Sequence, residues 1–387
     1  MTTDQNKRLC FVTTLPVTIT DFLVPQTQYL IEKGWDVTWI SANDPGLGRV
    51  LPKGTPHYIP LPFRRSMGLF GILRLTAALY RIFRRERFSI VQYSTPAAAF
   101  CAGTAARLAH VPVRLYAQWG IGYAGFRGLR RLMLKALERW CCRCSTHIEP
   151  DSTANLEFSL KEGLYGSAKG RVIMNGSACG VDLDRFDIAK KCAWRSEYRR
   201  KLGFGDEDLV VGFVGSICSD KGCHELINAC RSLFSAIPRA RLLVIGHGDP
   251  LGAIEPGLYN WIFSSRQVKV ITPNPEIPQY LACMDVLSLP GGREGFGSVI
   301  VEAEAMGVPV VASSVPAPVD AMQDGVTGLL VPVRGSRGLA AALKSLLSDE
   351  EKRLALGRAA VGFARENFDQ KRFLEAVLSD KNSLLAG

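Results

Sequence analysis

The chain has 387 residues, of which 47% are hydrophobic and 21% charged. It is too long for one ordinary core and suits two domains of about 150–200 residues each, while its composition excludes a disordered or fibrous protein. The formal charge of +11 sits almost wholly in the first half: residues 1–187 carry 24 Lys and Arg against 14 acids, and residues 188–387 carry 23 against 22.

The apolar run at residues 9–12 is too short for the core of an export signal and reads as a first strand. Then come the helical TDFLVPQTQYLIEKG, the strand DVTWIS, the basic helix RRSMGLFGILRLTAALYRIFRRER, the strand FSIVQYS and the helix PAAAFCAGTAARLAH. The strand VPVRLYAQ, a second basic helix FRGLRRLMLKALERWCCR, the strand STHIEP, the helix STANLEFSLKEG and the strand-like RVIMN complete the first half. Alternation of β and α implies a parallel sheet covered by helices on both faces. After GVDLDRFDIAK the pattern restarts with LVVGFVGS, KGCHELINACRSLFSAI, ARLLVIG, QVKVIT, EIPQYLACM, DVLSLP, VPVVAS, GVTGLLVP and a helical tail. The fold class is therefore α/β, with two doubly wound domains. Open sheets of this kind bind ligands beyond the carboxyl ends of their strands, so two facing domains would form an interdomain cleft.

The first basic helix is interrupted by Arg74 and Arg81 and is not expected to span a membrane. Eleven cysteines without an export signal point to a reducing compartment, the cytoplasm. Cys141, Cys144 and His147 in CCRCSTH have metal-like spacing but lack a second ligand pair, so no metal is expected there.

Residues 49–143 contain 17 basic side chains and only two acids, Glu86 and Glu138. In the second basic helix, Leu129, Leu132, Met133, Ala136, Leu137 and Trp140 recur at helical spacing, with Arg127, Arg130, Arg131, Lys135 and Arg139 on the other side. The stripe is expected to pack on the sheet. The shortage of acids points to an anionic partner, a membrane leaflet or a pyrophosphate-bearing lipid, attracted by about 1 kcal/mol per well-placed cation. No nucleic-acid recognition motif is present, and nucleic acid is not an expected partner.

The stretch GGREGFGSVIVEAEAMGVP, residues 291–309, reads as a strand end, a glycine-rich turn and a helix, with Ser298 as its N-cap. Gly295 and Gly297 would let backbone amides approach a ligand, and the helix N-terminus suits phosphate. Glu294 and Glu302 offer only acceptors and suit hydroxyl donors such as those of ribose or a hexose. Phosphates flanked by polyols describe a nucleotide sugar.

GREGFGSVIVEAEAMGVPVVAS followed by DGVTGLLVP resembles the donor-binding region of retaining, family 4 glycosyltransferases of the GT-B fold, including their signature of a glutamate, seven residues and a second glutamate. VGSICSDKGCHEL resembles their diphosphate loop, GVDLDRF their interdomain linker, and ENFDQKRFLEAVL their closing helix. The nearest resemblance is to the capsule and lipid-linked oligosaccharide branch, which acts at the cytoplasmic face of bacterial membranes. The resemblance implies an acceptor-binding domain at 1–187, a donor-binding domain at 188–365, and a final helix at 366–387 packing back on the first domain. It implies catalytic Glu294, on a hydroxyl of the transferred sugar, and Lys221, on the leaving diphosphate. Glu302 would hold the ribose, and the segments Gly295, Phe296, Gly297, Ser298 and Gly215, Ser216 the sugar and diphosphate. The donor, with UDP expected by family frequency, is a substrate; no cofactor is implied. The acceptor would be a polyprenyl-pyrophosphate-linked or nascent glycan, and the enzyme peripheral on the inner membrane.

The sequence departs from the family at two places. Ser216 stands where an arginine usually follows the loop glycine, and Trp119, before Gly120, stands where a histidine is frequent. An indole there would favour a sugar lacking its 6-hydroxyl; a core tryptophan at a strand end is the competing account. The first loop, with Thr14, lacks paired glycines and is expected to line the acceptor side. Asp182 and Asp184 belong to the linker-like segment and His224 and His247 to loops or core, so neither pair is read as a metal site or a base. Two alternatives remain: a nucleotide-sugar epimerase of the same fold, and an inactive partner that only binds glycan or membrane.

Overall fold

The computed structural model describes residues 7–44, 46–47, 57–64, 68–123, 126–248, 254–292, 295–315 and 318–386. The chain divides into two compact units, residues 1–179 with 371–387, and residues 180–370. The crossings at 179/180 and 370/371 differ from the sequence boundaries at 187/188 and 365/366. The reason is local: Val181 donates its N–H to Phe368 O and accepts from Gln370 N, so the outgoing and returning segments pair with each other inside the second unit.

The first unit holds β1 (Arg8–Val12), β2 (Asp36–Ser41), β3 (His57–Pro60), β4 (Ile90–Tyr93), β5 (Val113–Gln118) and β6 (His147–Pro150). All are parallel, in the order β3-β2-β1-β4-β5-β6. β1 and β4 are apolar and buried on both faces, as central strands of a covered parallel sheet must be. Two sequence readings change here. The short, proline-flanked edge strand β3 was not anticipated, and RVIMN is not a strand; only the preceding Gly170 makes a single bridge, to Ile148.

Helices α1 (Val24–Glu32), α2 (Leu69–Glu86), α3 (Pro96–Leu108), α4 (Gly128–Cys144) and α5 (Thr153–Lys161) connect these strands. α3 is rich in alanine and glycine at its buried positions, seven of its 13 residues, which lets α2 and α4 pack closely on either side of it. The expected orientation of α4 is reversed. Its stripe at Leu129, Leu132, Met133, Leu137 and Trp140 faces outward, and Glu138, Cys141, Cys142 and Cys144 face the sheet. Glu138 fits inside because Tyr116 OH (3.0 Å) and Gln118 Nε2 (2.6 Å) donate to it, although burial still pushes its carboxyl pKa up.

The second unit repeats the plan with β7 (Leu209–Val214), β8 (Ala240–Ile245), β9 (Val268–Ile271), β10 (Val286–Leu289), β11 (Val310–Ser313) and β12 (Gly328–Val331). Its parallel order, β12-β11-β10-β7-β8-β9, is the same as that of the first unit read from the other edge. Its longer helices are α6 (Lys191–Leu202), α7 (Cys223–Ala236), α8 (Pro256–Ser264), α9 (Ile277–Cys283), α10 (Ser298–Ala305), α11 (Ser336–Ser348) and α12 (Glu350–Phe368). Arg199 of α6 locks the amino edge of this sheet. Its buried guanidinium pairs with Asp285 at 2.7 Å and donates to the carbonyls of Gly205, Asp206, Asp208 and Cys283, while Asp285 accepts the Val210 amide.

The last helix, α13 (Gln370–Ala386), belongs from Lys371 onward to the first unit. Lys381, fully buried, pairs with Glu149 of β6 at 2.9 Å, and Asp380 pairs with Arg171. Among the described residues no helix is long and apolar enough to cross a membrane.

Candidate functional site

In a doubly wound sheet the chain reverses direction of winding between the first and fourth strands, and the loops there leave a crevice at the carboxyl edge. In the second unit this point lies between β7 and β10. Three loops meet there. Gly215 N donates to Ile245 O at 3.0 Å, Ile217 N to His247 O at 2.9 Å and Gly292 N to Asp220 O at 3.2 Å, tying the ends of β7, β8 and β10 together. Glycine is required where these loops touch. A Cβ on Gly246 would overlap the Gly215 carbonyl oxygen, and one on Gly222, at φ 72°, would overlap the Pro290 carbonyl oxygen. Gly222 and Gly246 were not singled out in the sequence; the Lys-Gly and Ile-Gly pairs at the loop positions were the available signal.

Lys221 ends a short 3-10 turn, Ser219–Lys221, and is half-buried between β7 and α7. Gly215 and Ser216 lie directly after β7, with Ser216 O accepting from the Cys223 thiol. Across the crevice, α10 begins at Ser298. Gly297, at φ 75°, is its N-cap and Ser298 is the first helical residue, so the helix starts one place earlier than the sequence suggested, and no side chain caps it. Glu302 sits half-buried on its second turn. Phe296 is 3% exposed and stacks edge-on against Phe368 at 5.3 Å, so its ring anchors the loop in the core. Glu294 lies outside the described residues.

Glu304, two places from Glu302 and so on the opposite side of α10, is fully buried; among the described residues neither carboxyl oxygen has a well-formed hydrogen bond, and the Thr327 side chain is the polar group beside it. Burial pushes its pKa well up. The histidines have structural contacts: His224 Nε2 accepts the Glu255 amide, and His247 O holds Ile217. Asp182 Oδ1 accepts the amides of Asp184 and Arg185, which makes GVDLD a capped turn.

In the first unit the corresponding point lies between β1 and β4 and is built from hydroxyls. Thr14 N and Oγ1 both contact Thr95 Oγ1, at 3.2 and 2.7 Å. Thr95 precedes α3 at φ 68°, a left-handed conformation costly for a β-branched residue. Trp119, beyond β5, is half-buried and rests on Phe22 at 5.6 Å, packed into the core beneath α1; Gly120 follows at φ 85°. The enclosed space beside Trp119, lined also by Gln26, Gln92, Glu149 and Ser177, is only about 20 Å3, room for a water rather than a sugar.

Two family models divide the chain as the two units do. Residues 26–176 match the Glycosyltransferase Family 4 model and residues 195–362 match the Glycosyl transferases group 1 model. The chain is a GT-B glycosyltransferase of the group 1/family 4 type. It is 27% identical over 360 residues to the capsular polysaccharide biosynthesis glycosyltransferase CapM of Staphylococcus aureus, covering 93% of each chain. Among solved structures, this glycosyltransferase superposes on HepE from Anabaena, in complex with UDP and glucose, with a TM-score of 0.80 at 19% identity, covering 97% of this chain and 99% of that one. It also matches WaaG, a glycosyltransferase involved in lipopolysaccharide biosynthesis, with a TM-score of 0.74 at 18% identity over 98% and 100% of the two chains.

Proposed function

We propose that this glycosyltransferase moves a sugar, with retention at the anomeric carbon, from a UDP-sugar to a lipid-linked or nascent glycan in cell-surface polysaccharide biosynthesis. The observation that carries the donor reading is the winding reversal of the second unit, where glycine-dependent loop contacts and the N-terminus of α10 converge with Lys221 and Glu302. Backbone amides there suit a diphosphate and the carboxylate of Glu302 suits ribose hydroxyls. Glu294 would take a hydroxyl of the transferred sugar. Lys221 would neutralise the leaving diphosphate, a fixed cation where charge develops. With Ser216 in place of an arginine, Lys221 carries more of that load. No cofactor or metal has a place in this scheme.

The relatedness to CapM supports the polysaccharide pathway, and the UDP complex of HepE supports the nucleotide. Thr14, Trp119 and Gly120 would border the acceptor in the first unit, whose basic surface would meet an anionic leaflet carrying that acceptor on its cytoplasmic side.

The first experiment is thermal denaturation with UDP, GDP and ADP, for the parent and Glu302→Ala. A ligand at 100 times its dissociation constant stabilises by about 2.7 kcal/mol. A rise with UDP alone, absent in Glu302→Ala, is expected. A rise with another nucleotide only would overturn the donor, and an equal rise in the variant would overturn the role of Glu302. The anomeric configuration of the product, read by NMR, tests retention.

A further inference from the structure

The sequence led us to expect the apolar stripe of α4 against the sheet, and the structure turns it to solvent. Leu129, Leu132 and Met133 on the first turns of α4, and Leu69, Phe70 and Leu73 on the first turns of α2, are between 58% and 82% exposed. Single exposed leucines need no explanation, but six large apolar side chains on two helices of one layer do.

Topology places them. α2 and α4 each end within a few residues of the amino end of the next strand, at Ile90 and His147, so both run against the strands and begin at the carboxyl edge of the sheet. α3, which lies between them, begins at the same edge, directly after Thr95. The apolar turns therefore flank the end of the first unit where β1 and β4 part.

Charge selects the partner. Further along the same exposed faces come Arg74, Arg81, Arg84 and Arg85 on α2, and Arg130, Arg139 and Arg143 on α4, with Tyr80 and Trp140 about 40% exposed among them. The only acids on the three helices are neutralised: Glu138 is buried, and Glu86 pairs with Arg8 and Arg85. Apolar tips, aromatic residues at intermediate depth and a cationic flank match the acyl boundary and anionic headgroups of a bilayer.

We propose that the first turns of α2 and α4 insert into an anionic membrane and hold the carboxyl edge of the first unit at its surface. This rests on the reading of the acceptor as lipid-linked: the lipid would stay in the bilayer while its head group reaches the crevice. Insertion adds to the electrostatic attraction a component that salt does not screen.

The test is co-sedimentation of the full chain with phosphatidylcholine vesicles, with and without phosphatidylglycerol, at low and high salt. Two apolar variants, Leu129→Ser/Leu132→Ser/Met133→Ser and Phe70→Ser/Leu73→Ser, are compared with the cationic variant Arg74→Gln/Arg81→Gln. The parent should bind the anionic vesicles and retain part of that binding at high salt. The apolar variants should lose the salt-resistant part, by on the order of a hundredfold in partitioning for the triple variant, while keeping their UDP-induced stabilisation and transfer to a water-soluble acceptor. The cationic variant should lose mainly the salt-sensitive part. Parent-like binding by both apolar variants overturns the insertion and leaves a purely electrostatic contact. A parent that ignores vesicles yet transfers sugar to a soluble acceptor overturns it and leaves the transferase reading standing. A parent that self-associates through this face, and becomes monomeric in the triple variant, assigns the patch to a second copy instead.

Discussion

The two units share one strand order and use it differently. Where the winding reverses in the second unit, glycines let three loops touch through their backbones, and the first turn of α10 carries no side-chain cap. At the same place in the first unit, Thr14 and Thr95 fill the gap with hydroxyls, and Thr95 accepts a left-handed backbone to do so. Bare backbone suits a ligand with a fixed diphosphate, whereas side chains can be varied to suit an acceptor. The outer surfaces diverge too: almost the whole excess of positive charge and the large exposed apolar patches of α2 and α4 belong to the first unit. The fold supplies a crevice twice, and the residues lining each make the two chemically different.

The largest expected effect tests whether the units are independent. Arg199→Ala breaks a buried ion pair, leaves Asp285 to Arg195 alone and takes a donor from the carbonyls of Gly205, Asp206, Asp208 and Cys283, and it should destabilise the second unit by about 3–5 kcal/mol. Calorimetry should show one transition moving down and the other holding; a single transition that shifts as a whole would mean that the units unfold together. Lys221→Ala should lower kcat by about 10²–10³, the cost typical of removing one group that stabilises developing charge, with little change in melting temperature. A rise in KM at constant kcat would place Lys221 in ground-state binding only.

The glycine and threonine crevices are compared by a matched pair. Gly222→Ala forces a Cβ against Pro290 O at a left-handed backbone and should cost about 1–3 kcal/mol together with UDP-induced stabilisation. Thr95→Gly relieves backbone strain and loses the Thr14 contact, two effects of about 1 kcal/mol that oppose each other. It should leave the melting temperature nearly unchanged and UDP binding intact. Equal losses in both variants would erase the distinction between the crevices.

The last comparison concerns Glu304, which is protonated in the fold at pH values where the unfolded chain has already released its proton. Between the ordinary carboxyl pKa and its raised value in the fold, the native state holds the extra proton, so this residue makes stability fall as pH rises. Glu304→Met fills the same space without a titrating group and should stabilise by about 1–3 kcal/mol at pH 8 and by less at pH 5. Parallel pH profiles for variant and parent would show that Glu304 does not titrate in this range.

Much of the fold was legible because periodicity survives without tertiary context. Alternating apolar runs and helical stretches identified eleven of the twelve strands among the described residues. The missed one, β3, is short, at the sheet edge and flanked by prolines, and RVIMN has the composition of a strand but no neighbour to pair with. The grouping of Gly215, Lys221, Gly297 and Glu302 was legible for a different reason: they lie in compact segments around two strand ends, and parallel topology brings those ends together. Phe296 was legible only in part, since nothing local reveals that its ring meets Phe368 from α12.

What the sequence alone determined was the repeated βα alternation, the uneven charge and the chemistry of the loop residues, all set by which side chains follow one another. Tertiary structure alone decided which way α4 faces, that Glu304 is sealed in the core, and that Lys381 returns to pair with Glu149. Helical spacing defines a stripe but not its direction, because an apolar face is equally periodic whether it meets a sheet or solvent. In α4 that direction was set by Tyr116 and Gln118, whose hydrogen bonds gave Glu138 a place inside.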